Sequence, residues 1–409
     1  MKEFFEVQSL SDVLRLKSRF PTVSAESVSL ENAVGRVLAE EFTAAADLPD
    51  FCRATMDGYG LRAASTFGAS DANPAYLNVV GSVAMGEVPA FSIGPGQACR
   101  IATGGMLPEG ADSVVMIEHT DSLDASTIEV YRSVAPGQHV LQVGEDYARG
   151  QALLNAGQPI RPQESGLLAA FGHRRVNVFR RPVIGILSTG DEIVAIDAQP
   201  GPGQIRDMNS YTLSGQLQQL GAVPVRYGIV ADDPDALFAA CRSALEQSDM
   251  VLLSGGSSVG MRDYTVEVLS KLENAHILVH GIAISPGKPT ILARTGSQAV
   301  WGLPGNVVSA MVVFRVVVAP FVAAIQGQAA AYPNRVDIPA VLSRNIASAQ
   351  GRSDFVRVRL QREDDGYLAQ PVLGKSGLIH TMVSADGLVE VDADTEGLDA
   401  GTAVEVIPF

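Results

Sequence analysis

Residues 183–192 read VIGILSTGDE, and residues 250–263 read MVLLSGGSSVGMRD. Each begins with an apolar run, Val183 to Leu187 and Met250 to Leu253, and breaks into a loop of glycines, hydroxyls and a carboxylate. A short apolar run bounded by such turn residues reads as a buried strand. Open α/β sheets bind ligands in the crevice outside the carboxyl ends of their strands. Two strand-end loops of matching chemistry therefore predict one site, suited to a metal and a polyanion.

Outward from these two strands the chain alternates. Asn209 to Leu220 patterns as a helix, with Asn209 as its cap and Gly221 as its stop. Val223–Val230 reads as a strand. Pro234 to Gln247 reads as a helix opened by its proline, with Asp232 and Asp233 just ahead. A helix over Tyr264 to Leu272 and strands at Ile277–Val279, Thr290–Ala293 and Val300–Leu303 follow, and a long helix comes after Pro304. This alternation predicts a mainly parallel sheet covered on both faces. Val307 to Ile325 is nearly all apolar, but Arg315 interrupts it and Pro320 bends or ends it. A membrane span needs about 20 apolar residues with few charges. A buried helix over a sheet face is expected instead.

The flanks have a different texture. Ser9 to Arg19 predicts a helix with a capping box of Ser9 and Asp12, and Leu30 to Glu40 repeats its apolar pattern. From Thr43 to Gly144, short runs such as Leu77–Val80, Ala98–Ile101, Val114–Ile117 and Ile128–Tyr131 are divided by Gly, Pro and Asp, the pattern of an all-β insertion. Helical texture returns at Pro162 to Phe171. After Gln328 the chain turns β again, at Val336–Leu342, Phe355–Leu360, Tyr367–Val372 and Val404–Ile407. There Arg357 and Arg359 alternate with Val356 and Val358, as in a half-buried strand. The expected domains are 1–42 with 145–180, an inserted 43–144, a central 181–327 and a C-terminal 328–409.

Composition narrows the class. A chain of 409 residues is too long for one ordinary core. With 46% apolar and 18% charged residues it is globular rather than disordered. A formal charge of −15 disfavours nucleic acid and anionic membranes as partners. An anionic ligand then needs local amides, cations or a metal. Cys52, Cys99 and Cys241 have neither metal-ligand spacing nor a disulfide pattern, which fits a reducing cytosol. The start, MKEFFEVQSL, lacks the apolar stretch of a signal peptide. A cytoplasmic location is expected.

Glu192, Asp232 and Asp263 stand at strand ends or helix starts and have the chemistry of Mg²⁺ ligands; Asp57 and Asp146 are further candidate carboxylates. A carboxylate just before a helix is also an ordinary cap, and that reading is preferred for Asp233. In the loop Ser254-Gly255-Gly256-Ser257-Ser258, glycines open the backbone to an anion and the next helix adds its positive end. Ser285-Pro286-Gly287-Lys288-Pro289 has the wrong spacing for a nucleotide-binding P-loop, with Pro289 at the hydroxyl position. Lys288 can still offer a point charge to an oxyanion, or be a solvated surface lysine. Leu303-Pro304-Gly305-Asn306 opens a helix whose free amides and Ser309 suit the same anion. Thr103-Gly104-Gly105 alone reads as a hairpin turn.

Taken in order, these pieces resemble the molybdopterin molybdenumtransferase family (MoeA and the gephyrin E-domain). The motifs are RATMDGYG at 53–60, RIATGGMLPEGADSVVM at 100–116, GEDYARG at 144–150 and RPVIGILSTGDEI at 181–193. GQIRDMNS at 203–210, SGGSSVGMRDYT at 254–265, PGKP at 286–289 and GLPGN at 302–306 complete the series. The resemblance implies a multidomain α/β plus β protein: a central three-layer α/β domain, an all-β insertion, a helical linker domain and a C-terminal barrel-like β domain. It implies a homodimer with its cleft between subunits, and transfer of molybdenum from molybdate to adenylylated molybdopterin. Mg²⁺-dependent hydrolysis then releases AMP, and an upstream adenylyltransferase supplies the substrate. By matching motif, Asp57, Thr103, Asp146, Glu192, Asp232 and Asp263 fall at functional positions, with Glu192, Asp232 and Asp263 as the metal set. Ser254, Gly255, Gly256, Ser258, Lys288, Pro289, Ser309, Arg357 and Ser376 are the expected substrate and oxyanion contacts. A gephyrin-like scaffold or a pterin-binding paralogue is the alternative.

Three positions depart from the family pattern. Ser285 stands where lysine is usual, Ser257 where valine is, and Val307 where proline is. The missing lysine removes a positive charge from the expected oxyanion pocket. At close range in a surface-like dielectric, such a charge contributes about 4 kcal/mol of gross Coulomb energy.

Overall fold

The strand Val183–Thr189 runs parallel to Val223–Val230 on one side and to Met250–Ser254 on the other. Ser188 lies opposite Ser254, so both strand-end loops leave the sheet at the same edge. Gln298–Leu303 adds a fourth parallel strand, and Ile291–Thr295 and Ala275–His280 finish that side antiparallel. The computed structural model describes residues 7–255, 259–329, 336–364 and 366–409, with the backbone alone at 259–264.

Strand residues point alternately to two cores. Ile184, Ile186, Leu252 and Trp301 pack under Leu213 and Leu217 of the helix Asn209–Gln219 and under the apolar helical segment 307–325. Leu187, Val251, Leu253 and Val300 pack on Leu237 and Cys241 of Pro234–Gln247 and on Val268 and Leu269 of Val259–Lys271. This is the expected three-layer α/β arrangement. The apolar segment runs as Val307–Val313, a wider π turn at Phe314–Val318, and Ala319–Ile325. Pro320 has no N–H for the carbonyl four residues back, and the wide turn lies where the ladder must adjust. By length and composition these 19 residues pass as a membrane span, yet 72% of their most apolar 18-residue stretch is buried inside the protein. Arg315 donates to the Pro408 carbonyl at 2.5 Å. The segment is a core helix.

The C-terminal strands close on themselves. Ser353–Glu363 pairs with Gly366–Pro371 and with Gly387–Val391. Ala403–Pro408 joins Gly387–Val391 to Ile338–Leu342, which returns to Gly366–Pro371. The result is a closed five-stranded barrel, filled by Ala340, Val358, Ala369, Val389 and Val406. Ile284–Ser285 adds itself to the start of Ser353–Glu363. Simple alternation fails here: Arg357 is only 8% exposed, while Arg359 is exposed. The chain at 372–374 folds over Arg357 and accepts its hydrogen bonds.

By contacts the chain forms two compact units, Met1–Glu40 with Ala156–Gly166 and His173–Phe409, and Glu41–Asn155 with Leu167–Gly172. In the first unit, the helix Leu10–Arg15 begins at Ser9, whose hydroxyl accepts from the Asp12 amide at 3.1 Å. The helix predicted over Leu30 to Glu40 is absent. Only Leu30–Asn32 makes a 3₁₀ turn, Gly35 takes φ +79°, and Val37 and Leu38 form bridges to Pro159 and Val178. Strand-like partners outcompete an apolar pattern interrupted by glycine.

The second unit is all-β at its centre. Its six-stranded sheet runs Ser113–Met116, Gly58–Leu61, Gln97–Ile101, Ala75–Val83, Thr127–Val130, Thr120–Ser122. Gly58–Leu61 was not legible as a strand because glycines occupy alternate positions. Gly58 is nevertheless required, since a Cβ there would lie 1.9 Å from the Val115 carbonyl oxygen.

Candidate functional site

The first unit gathers polar side chains at the carboxyl ends of its parallel strands. Thr189 ends one strand and Gly255 follows another. A Cβ on Gly255, at φ +135°, would come within 2.1 Å of the Thr189 carbonyl oxygen, so the two loops abut because position 255 has no side chain. Gly190, at φ +145°, leaves room in the same way for the folded-back Glu192 carboxylate, 2.6 Å from where a Cβ would stand.

Beside these loops stands an acidic group. The Asp232 amide donates to Asp191 Oδ1 at 3.1 Å. Asp232 Oδ1 itself is buried without a hydrogen-bond partner among the described residues. Burial lifts the Asp232 carboxyl above its ordinary range, and the negative charges of Asp191 and Glu192 push the same way. Glu192 and Asp232 are thus brought together, with Asp191 as an unforeseen third member. Asp233 caps the helix Pro234–Gln247 by accepting from the Ala236 amide at 2.8 Å. Among the described residues no three His, Cys, Asp or Glu side chains form a ready-made metal site. The Asp263 side chain, Gly256, Ser257 and Ser258 lie outside the described residues.

A second group braces the neighbouring loops. Asn209 Nδ2 donates to Ser254 Oγ at 2.6 Å and to the Gly305 carbonyl at 2.8 Å. Asn306 Nδ2 donates to Ser376 Oγ at 3.0 Å, and the Val308 amide donates to the Ser376 carbonyl at 3.1 Å. Arg357 donates to the carbonyls of Val372 and Gly374, at 3.3 and 2.9 Å, and burial lowers the pKa of its guanidinium. Ser254, Ser376 and Arg357 are therefore linked through one chain of loops, and Ser309 lies buried in the first turn of the helix they surround. These two bonds, from Nε and Nη2, tie Arg357 to the chain at 372–374, just ahead of Ser376. The loop carrying Lys288 and Pro289 sits against the same helix: a Cβ on Gly287 would lie 2.3 Å from Val313 Cγ2. Lys288 is exposed.

Two residues were misread or missed from the sequence. Asn209 does not cap its helix. That role falls to Asp207, whose Oδ1 accepts from the Ser210 amide at 3.1 Å while its Oδ2 accepts from Ser188 Oγ at 2.8 Å. Asp207 and Asn209 are 8% and 6% exposed. The one available signal was the polar pair itself, placed just before an amphipathic helix.

In the second unit Asp57 and Thr103 meet. The Thr103 amide and hydroxyl both donate to Asp57 Oδ1, at 2.7 and 3.0 Å. These two bonds hold the Asp57 carboxyl below its ordinary range. Asp146 stands in an exposed turn, where its amide donates to the Leu48 carbonyl at 3.0 Å.

Three family models match the chain in order. They are the MoeA N-terminal region (domain I and II) over residues 8–172, a probable molybdopterin binding domain over 185–324, and the MoeA C-terminal region (domain IV) over 339–409. A molybdopterin molybdenumtransferase of Bacillus subtilis is 34% identical over 386 residues, covering 93% of this chain and 89% of that protein. One of Haemophilus influenzae is 32% identical over 95% of each. A crystal structure of the molybdopterin biosynthesis moeA protein of Pyrococcus horikoshii OT3 matches with TM-score 0.86 at 30% identity, over 99% of this chain and 100% of that one.

Proposed function

Because this chain belongs to the MoeA family of molybdopterin molybdenumtransferases, we propose that it inserts molybdenum from molybdate into adenylylated molybdopterin and releases AMP by hydrolysis. The observation that carries this reading is the Asp232 carboxylate. Among the described residues it keeps an unpartnered buried oxygen beside Asp191 and Glu192, at the strand ends where an α/β sheet takes its ligand. A buried acceptor without a partner costs roughly 1–3 kcal/mol, and crowded negative charge adds to that cost. A cation relieves both.

Mg²⁺ fits these donors. It takes oxygen ligands, usually one or two carboxylates together with water and substrate phosphate. Glu192 and Asp232 would hold it, with Asp263 as the third carboxylate of the proposed set. When bound, the ion supplies charge neutralisation at the phosphoryl group and activates water.

The chain's own groups do the rest. Gly255, with no side chain, lets a phosphate come close to the backbone beside the Ser254 hydroxyl. Lys288, the start of the helix carrying Ser309, and Ser376 receive the molybdate oxyanion, while Arg357 fixes the Ser376 loop. Ser285 leaves that pocket one positive charge short. The proposed active form is a cytoplasmic homodimer in which Asp57, Thr103 and Asp146 act from across the subunit interface, and an adenylyltransferase supplies the substrate.

The test is a single-turnover assay of the full-length protein with adenylylated molybdopterin, measuring AMP. Release should require both molybdate and Mg²⁺. Glu192→Gln and Asp232→Asn should each slow it at least tenfold, about 1.4 kcal/mol in barrier, without lowering the unfolding midpoint. Tight pterin binding with no AMP release would leave a storage or scaffold protein. Wild-type rates in both variants would remove the metal site.

A further inference from the structure

Three parallel strands of the first unit end level with one another. Ser188 lies opposite Ser254, and Ser254 opposite Leu303. One short stretch, residues 205–209, bonds to all three ends. The Ile205 amide donates to the Glu192 carbonyl at 2.8 Å, and the Asp207 amide to the Val194 carbonyl at 3.0 Å. Asp207 Oδ2 accepts from Ser188 Oγ, at the end of the first strand. Asn209 Nδ2 donates to Ser254 Oγ, at the end of the second, and to the Gly305 carbonyl, just past the third. Ser188 and Ser254 are fully buried, and Asp207 and Asn209 are buried with them.

Stability alone does not call for this arrangement. A carbonyl can only accept, so Gly305 fixes which end of the Asn209 amide is nitrogen. Asn209 Oδ1 is then left buried with no partner among the described residues. Such an orphan costs roughly 1–3 kcal/mol, and apolar groups of the same shape would avoid it. What apolar groups lack is direction: the hydrogen bonds fix where each loop leaves its strand. The loops so held carry Asp191 and Glu192, then Gly255, then Asn306, which reaches Ser376. These are the groups assigned above to the metal, the phosphoryl group and the oxyanion.

We propose that Asp207 and Asn209 are positioning residues, which set the three loops in one register so that they act on a single substrate. The inference rests on the reaction proposed above and adds residues to it that need not touch the substrate. Asp207 acts through the Glu192 loop, by way of Ser188. Asn209 acts through Ser254 and the helix start at Gly305. Residues that support a binding group from behind typically contribute about 10–100-fold, and a displacement of about 1 Å in a reacting group costs about a hundredfold in rate.

Four variants of the full-length protein test it. Asn209→Ala loses both Nδ2 bonds. Asn209→Asp can still accept from Ser254 but sets a carboxylate against the Gly305 carbonyl. Asp207→Ala loses the Ser188 bond, whereas Asp207→Asn can accept from the Ser210 amide and donate to Ser188. Three quantities are compared: kcat and KM for AMP release, the affinity for molybdate alone by calorimetry, and the urea unfolding midpoint. Asn209→Ala and Asp207→Ala should each lower kcat by roughly tenfold or more, with KM changed far less. Asp207→Asn should recover most of the loss seen in Asp207→Ala. Both Asn209 variants should weaken molybdate by roughly fivefold or more, because the Gly305 bond is gone, while Asp207→Ala leaves it within about twofold. A lowered urea midpoint with kcat of the folded protein within about twofold of wild type in both alanine variants would make the stretch merely structural and overturn the inference. Molybdate affinity unchanged in both Asn209 variants would overturn the Asn209 part. If wild type binds molybdate but releases no AMP, the proposed reaction falls, and the molybdate pattern still decides the role of Asn209. If wild type turns over and the variants match it, the positioning falls and the reaction stands. If wild type neither binds molybdate nor releases AMP, both fall.

Discussion

Asp57 shows how much of the candidate chemistry is held by single hydrogen bonds. Its carboxyl sits below the ordinary value of 3.8 because the Thr103 amide stabilises the ionised form first and the Thr103 hydroxyl second. A depressed carboxyl contributes stability that is present above its unfolded value and is lost as pH falls through its folded value. Thr103→Val keeps the amide bond and removes the hydroxyl bond. The Asp57 titration, followed by carboxyl carbon NMR, should then move up towards 3.8 without reaching it, and the acid limb of the stability profile, which still begins near the unfolded value, should be smaller and level off at higher pH. An unmoved titration would show that the hydroxyl does not set this group. Asp232 has the opposite sign: burial disfavours its charged form, so it opposes folding at neutral pH. Part of that contrast was legible in the sequence. Asp57, Glu192 and Asp232 could be chosen as acids on turns and strand ends. Which of them would be stabilised and which strained depends on Thr103 and Asp191, which come from other loops.

At the scale of elements, glycines decide whether the loops can meet. Gly255→Ala places a methyl 2.1 Å from a backbone oxygen at φ +135°, where neither atom can yield cheaply. It should cost roughly 2 kcal/mol or more. Gly35→Ala, also at positive φ but with open space around it, should cost only about 1 kcal/mol. Urea unfolding of both variants checks the difference, and equal losses would mean that the contact with Thr189 is not limiting. Elements were the most legible level. Val183–Thr189, Val223–Val230, Met250–Ser254 and Pro234–Gln247 lie where periodicity, caps and turn residues put them. Local signals misled where tertiary pairing won, as at Leu30 to Glu40. They also misled where a polar residue spends its hydrogen bonds at long range. Asn209 looks like a cap, yet its amide reaches residues 45 and 96 positions away.

For the molecule as a whole, the charge of −15 works against substrates that are themselves anions. Screening shortens from about 30 Å at 0.01 M salt to about 8 Å at 0.15 M. Association of molybdate should therefore speed up as salt rises over that range, the reverse of ordinary electrostatic steering. Stopped-flow measurement of molybdate binding decides it. A rate that falls with salt would mean that the local cations outweigh the global field.

The closed C-terminal ring has a bearing on how the protein ages in a crowded cell. Stray polypeptides seed fibrils by hydrogen-bonding to a bare rim of a sheet, and each of the five strands in this ring already has a neighbour on both sides. Amyloid-type growth should accordingly begin elsewhere in the chain, and fragments from the last seventy residues should be scarce in the protease-resistant cores of heat-induced deposits.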